Sequence, residues 1–294
     1  AIIITRLKNT TKINFILIVA LLCVSTSSII ARWLFDVPAV SLAFWRMLTA
    51  SIFLWIYSLS IPRSQLSNKN RWLTALSGFF LGLHFLFFFG ALKLTTIANA
   101  TFLATMAPIF TLIIEKLVLK RQLSSGLVNG ILIAIVGLII IVWNDFDFES
   151  VHMRGNLLSL TCSFWICITY LLTNKIRQTT TTIVYSRSLY FWAAVTLFIV
   201  AIFSGAEMYS FSGMEYTGLV LLGLIPTIFG HSLLYYALKF VPPTAVASVP
   251  LGEPVIASIA AMFIFHEFAG LNIFIGGFII LTGLFITIKF KISN

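Results

Sequence analysis

"GALKLTTIANATFLATMAPIF" at residues 90–110 and "YALKFVPPTAVASVPLGEPVI" at 236–256 read as two versions of one segment. A shift of 146 residues aligns Ala91, Leu92 and Lys93 with Ala237, Leu238 and Lys239, and Pro108 with Pro254. The same shift carries Gly130 onto Gly276 and Gly137 onto Gly283. Identities kept at one offset mark a duplicated unit. What the unit is depends on the chain around it.

Hydrophobic residues make up 60% of the 294 and charged residues only 10%, with 28 Phe. A soluble protein of this size needs more charge to cover its surface. The apolar residues fall in blocks of about 19–23, each long enough to cross a hydrocarbon core of roughly 30 Å. Spans are predicted near 13–31, 38–60, 72–92, 96–115, 125–143, 155–174, 183–204, 217–238, 243–265 and 270–288. The fold class is therefore all-α and integral to the membrane, with ten helices. The first block follows Arg6, Lys8 and Lys12 in the manner of a signal peptide, but nine similar blocks come after it, so it reads as the first span.

Ten spans place both termini on one side. With the N-terminus inside, the inner segments hold Arg6, Lys8, Lys12, Arg63, Lys69, Arg71, Lys116, Lys120, Arg121, Lys175, Arg177, Lys239, Lys289 and Lys291. The outer segments hold only Arg32, Lys93 and Arg154. This bias predicts cytoplasmic termini in a cell (inner or plasma) membrane, and it accounts for the net charge of +10 without any nucleic acid. The acids Asp36, Asp145, Asp147, Glu149, Glu207, Glu215 and Glu267 fall outside, with Glu115 the exception.

The duplicated unit contains five helices, an odd number, so its second copy enters the membrane inverted. Lys93 outside and Lys239 inside fit that inversion. We expect two inverted five-helix repeats, 1–146 and 147–294, around a central cavity. Such repeats form many secondary transporters, with substrate bound at their interface near the bilayer midplane. The chain has no Walker-type lysine loop, no HExxH and no GxSxG, so neither ATP-driven pumping nor hydrolysis is indicated, and we expect no enzyme. Cys23, Cys162 and Cys167 lack metal-ligand spacing, and no metal or cofactor is expected.

Four stretches carry a family resemblance: "FWRML" at 44–48, "GLHFLFFFGALK" at 82–93, "GHSLLYYALK" at 230–239 and "LGEPVIASIAAMFIFHE" at 251–267. Together with the five-plus-five repeat, from first span to last, the chain resembles the EamA-type branch of the drug/metabolite transporter superfamily. The resemblance implies a metabolite carrier, often an amino-acid exporter, with cytoplasmic termini and a central cavity. One feature departs from it. Members commonly carry a glutamate after the Pro-containing helix of each half; here the second half has Glu267, whereas the first has Arg121 at the aligned position.

Candidate site residues follow from depth, at about 1.5 Å per residue. Glu253 lies ten residues from Pro243, or roughly 15 Å into span nine, at the midplane. An intramembrane carboxylate faces protein or water and marks substrate or proton pathways, or else bridges helices as a structural group. Ser25, His84 and Trp165 fall at similar depth, with His231 and Tyr235 in the inner half, Tyr170 beside them, and Asn99 opening span four. His84 and His231 lie within one residue of the repeat offset. Either can bind substrate, relay protons or join helices. Trp165, Tyr170 and Tyr235 offer aromatic surface with polar tips. Ser25 and Asn99 equally suit helix packing. Arg46, roughly 12 Å deep, is read as a snorkelling anchor, and so is Arg187.

The expected function is secondary transport of a small organic metabolite, an amino acid or related amine, by alternating access, with export the expected direction. Its partners are that solute and the lipid bilayer, and proton coupling through Glu253 is left open. The alternatives are a carrier of nucleotide-like solutes or cationic drugs, a non-alternating channel or scaffold, and a membrane enzyme. Substrate identity, coupling ion and oligomeric state are not specified by the sequence.

Overall fold

The computed structural model describes residues 2–61, 65–95, 97–143, 150–265 and 271–290. Among them, nine helices are long and apolar enough to cross a membrane. These are α1 (Thr11–Trp33), α2 (Ala39–Ser58), α3 (Asn68–Leu92), α4 (Asn99–Val118), α6 (Val151–Arg177), α7 (Thr182–Ser204), α8 (Gly213–Ala237), α9 (Pro243–Ile264) and α10 (Leu271–Phe290). The tenth apolar helix, α5 (Ser125–Val142), is shorter. Each predicted span has its helix, and the described residues contain no strand. Glu267, Lys291, Arg63 and the acids at 145, 147 and 149 lie outside the described residues.

The polar connections supply the caps that start the helices. Ser67 accepts from the Asn70 N–H at 3.3 Å, and Ser124 from the Leu127 N–H at 3.2 Å. Ser212 and Glu215 form a reciprocal capping box at α8. Helix α7 stops at Gly205, whose φ of +62° is the left-handed conformation glycine adopts without penalty. Phe203, Phe263, Phe278 and Phe285 stand on the outside of the bundle. In water that wall would aggregate; against lipid tails it is solvated.

The glycines of the repeat decide how the two halves meet. Helices α5 and α10 run antiparallel in close contact. A Cβ on Gly137 would sit 2.6 Å from the Gly276 carbonyl oxygen, and one on Gly276 would sit 2.5 Å from that of Gly137. Gly130 and Gly283 repeat the arrangement at 2.7 and 2.5 Å. Nothing larger than hydrogen fits. The repeat offset carries Gly130 to Gly276 and Gly137 to Gly283, so exchanging the halves maps one contact onto the other. That self-complementarity is the signature of an inverted duplication, and small residues are what allow membrane helices to approach so closely.

Two helices break at matching places. Helix α4 is interrupted between Ala104 and Ala107, and α9 between Ala247 and Glu253, where Val249–Gly252 form a 3₁₀ turn. The offset of 146 superposes Thr105–Met106 on Leu251–Gly252. Each break precedes a proline, Pro108 or Pro254, which lacks an N–H and clashes with the carbonyl four residues earlier. Helix α8 adds a third irregularity, π-helical turns over Gly223–His231 around Pro226. In this segment Gly223 lies against α2, where a Cβ would be 2.6 Å from that of Thr49, and Gly230 lies against Val24 of α1. These departures from regular helix surround one point in the bundle.

Candidate functional site

At that point lies a cavity of about 50 Å³. Its walls come from both halves: Val24 and Ser27 of α1, Arg46 of α2, His84, Phe85 and Phe88 of α3, Thr105 and Ala107 of α4, Ile166 and Tyr170 of α6, His231 of α8, and Ala247, Pro250 and Glu253 of α9. It has room for a few waters. Small-molecule pockets typically run to roughly 300–1,000 Å³, so in this conformation the site is contracted below the size of such a ligand.

Of the eight sequence-predicted site residues, the structure brings four together here: Glu253, His231, His84 and Tyr170. His84 and His231, the near-equivalents of the repeat, face each other with ring centroids 6.4 Å apart. His84 Nδ1 is 2.9 Å from the Cys162 carbonyl, which ties α3 to α6, while His231 Nδ1 is buried without a hydrogen-bond partner among the described residues. Glu253 is 9% exposed and makes no hydrogen bond to another described residue. Its repeat partner Ala107 lines the same cavity, so the carboxylate belongs to one half only.

The other four lie elsewhere. Ser25 spends its hydroxyl on the Leu21 carbonyl, 2.7 Å away within its own helix, and Ser27 reaches the cavity in its place. Trp165 stacks on Phe80 at 5.5 Å, with its indole N–H buried and without a partner among the described residues. Asn99 is fully buried at the start of α4, away from the cavity walls. Tyr235 sits in a wad of tyrosine rings, 6.3 Å from Tyr170, 5.9 Å from Tyr185 and 6.2 Å from Tyr190. Tyr185 shares hydrogen bonds with Ser77, at 2.8 Å, and with Thr173. Tyr190 donates to the Thr227 carbonyl at 3.1 Å. Tyr185 near the start of α7, with Thr173 and Tyr235 near the ends of α6 and α8, lies toward the side where α1 begins, here termed the basic face. The wad therefore plugs the bundle between the cavity and that face.

Arg46 requires a correction. It does not snorkel; it is fully buried and lines the cavity. Its Nε donates to Thr227 Oγ1 at 2.7 Å and its Nη1 to Ser27 Oγ at 2.6 Å. The guanidinium lies 4.0 Å from the centroid of Phe85, within cation–π range. Nη2 is buried with no partner among the described residues. Arg46 and Glu253 feel each other's charge, yet among the described residues no ion pair joins them. Depth along α2 could not say which way the side chain turned. The cost argument applied to Glu253 applies equally to an arginine at depth, and it is the signal that would have found this one. Arg187 fits its reading as an anchor better, with its guanidinium 4.2 Å from the centroid of Trp55.

A second cluster lies at the basic face. Glu115, at the end of α4, is fully buried, and its Oε2 accepts from both the backbone N–H and the hydroxyl of Thr244, at 2.7 and 2.6 Å. The carboxylate thus sits at the N-terminus of α9, where unpaired N–H groups and the helix dipole favour an anion. Its Oε1 accepts from Arg121 at 2.7 Å, and Arg121 in turn donates to Asn174 Oδ1 at 3.0 Å. Asn174 donates to the Leu238 carbonyl at 2.6 Å. The network joins α4, α6 and the α8–α9 connection, so it spans both halves. Arg121, which displaces the family's first-half glutamate in the sequence, has become the partner of an acid six residues earlier.

Comparison with known proteins matches the chain to the EamA-like transporter family twice, over residues 11–143 and 153–289. An uncharacterized transporter of Archaeoglobus fulgidus is 27% identical over 272 residues, covering 86% of this chain and 88% of that protein. A crystal structure with 17% sequence identity superposes with a TM-score of 0.79, covering 96% of this chain and 98% of the other, a likeness of fold.

Proposed function

The chain belongs to the EamA-like transporter family, and we propose that it is a secondary carrier moving an amino acid or related amine by alternating access. One observation carries the reading: a small cavity, walled by both inverted halves, that holds an intramembrane carboxylate. An inverted repeat supplies two conformations related by a pseudo-two-fold rotation at little extra cost, with the site fixed between them. Glu253 takes the ammonium group of the solute, and Phe85, Phe88, Ile166 and Tyr170 give its apolar part a surface. The breaks in α4 and α9 are the bends about which the halves rearrange. The basic face is cytoplasmic, in a plasma or inner membrane, and the direction is export. Glu253 is also the group through which proton coupling would run.

A non-alternating channel is the rival. It would need an open path, whereas the tyrosine wad and the Glu115 network block this one on the basic face. The test is counterflow. Proteoliposomes loaded with a mixture of the twenty standard L-amino acids, and diluted into each radiolabelled one in turn, should accumulate at least one of them transiently and saturably. Flux that rises linearly with concentration, with no counterflow, supports the channel.

A further inference from the structure

The cavity contains a cation as well as an anion, and the cation is short of partners. Thr227 and Ser27 satisfy two of the Arg46 N–H groups with neutral hydroxyls, and Nη2 has none, although the side chain is fully buried. A guanidinium presents a planar fork suited to two oxygens of one acid. Burying it without an anion is costly unless something supplies the missing charge. Glu253 shares the cavity but does not pair with it directly.

Resting on the carrier reading above, we infer that Arg46 is the carboxylate subsite of this cavity and that the solute is a zwitterion, its carboxylate on Arg46 and its ammonium on Glu253. Charge balance separates the candidates. With Glu253 as carboxylate, the cavity is neutral, and a zwitterion keeps it neutral while pairing both protein charges. A simple amine or a cationic drug would leave Arg46 unpaired and add net positive charge. A phosphorylated solute would set two negative charges against one arginine, with Glu253 repelling them. Phe85, with its ring centroid 4.0 Å from the guanidinium carbon, holds the fork in place from one side. Ser27 and Thr227 hold it from α1 and α8, so the subsite itself is built from three elements. A salt-bridge partner from the protein would have filled the same position; its absence among the described residues is what leaves the fork free for solute.

The test uses the purified full chain and the twenty standard L-amino acids, ranked by thermal stabilisation and titrated by calorimetry. The best binder is compared with its carboxamide, which keeps the ammonium and side chain but loses the acid. The amide should bind about 100-fold more weakly, the scale set by stranding a buried charge. In Arg46→Gln that ratio should fall to near unity, with the melting temperature of the unliganded protein retained. Arg46→Lys, which keeps the charge without the fork, should fall between. An amide that binds wild type as tightly as the acid overturns the subsite and leaves an amine carrier standing. A ratio that survives in both variants places the carboxylate elsewhere. If none of the twenty binds, the amino-acid reading fails and takes this inference with it. Should Arg46→Gln fail to fold, the wild-type amide comparison and Arg46→Lys still decide.

Discussion

Glu253→Gln should abolish counterflow in proteoliposomes while leaving the fold intact. An acid such as Asp at mid-membrane costs about 2.5–3.5 kcal/mol on insertion scales. Glu253 occupies such a position with no hydrogen bond to another described residue, in a chain with only nine acidic residues. A structural glutamate would be expected to bridge helices, as Glu115 does with two bonds to Thr244 and one to Arg121. Glu253 bridges nothing; it faces the cavity. The amide is nearly isosteric and cannot pair with an ammonium group, so the unliganded melting temperature should hold while uptake falls to the level of empty liposomes. Substantial remaining transport with its pH dependence unchanged would reduce Glu253 to a packing residue. If transport persists but loses its pH dependence, Glu253 is the coupling group and Arg46 with the aromatic surface suffices for binding.

Glu115→Ala should open the basic face. The substitution removes the acceptor for the Thr244 N–H and leaves Arg121 without its ion pair. Loss of an N-terminal cap costs about 0.5–2 kcal/mol, and one to two kcal/mol shifts a two-state equilibrium by about 5–30-fold. The other face cannot compensate in kind. The repeat offset carries Glu115 to Ala261 and Thr244 back to Ala98, neither of which has a carboxylate or a hydroxyl. On the alternating-access reading proposed above, the two access states are therefore unequal, and Glu115 favours the one closed on the basic face. A cysteine at Ala107 should react about 5–30-fold faster from that face in the Glu115→Ala background. Glu115→Gln, which keeps an acceptor oxygen, should do less. An unchanged rate in Glu115→Ala would mean that the tyrosine wad alone sets the closure.

How much of this was readable in the sequence differs from element to element. Helix number was plain, because a 20-residue apolar block admits few alternatives. The duplication was equally plain: Gly130, Gly137, Gly276 and Gly283 were visible as aligned pairs before they proved to be the points where α5 and α10 touch. Depth translated for Glu253 and His84, which line one cavity, but His231, read in the inner half, lines that cavity too. Facing did not translate. Ser25 and Ser27 are two residues apart, about 200° around an ideal helix, and a depth count cannot separate them. Nor could it tell that Arg46 turns inward. In a soluble helix the contrast between an apolar and a polar side supplies that information. In lipid both the outer and the inner faces are apolar, so the contrast is weak. Tyr235 illustrates the same blindness, since it belongs to the plug beneath the cavity and not to its wall. Glu115 was missed for another reason: its partner, the start of α9, lies 129 residues away, and no local pattern announces it.

The central claim is that one midplane cavity opens alternately to the two sides. Ala107 lines it, is 3% exposed, and is the repeat partner of Glu253, so a cysteine there reports on the site without disturbing either charge. In a background lacking Cys23, Cys162 and Cys167, the Ala107→Cys protein should be labelled by a membrane-impermeant methanethiosulfonate from either side of sealed proteoliposomes. A saturating transported amino acid should change both rates in opposite directions. Labelling from one side only, whatever solute is present, or from both sides at rates that no solute alters, would contradict alternating access.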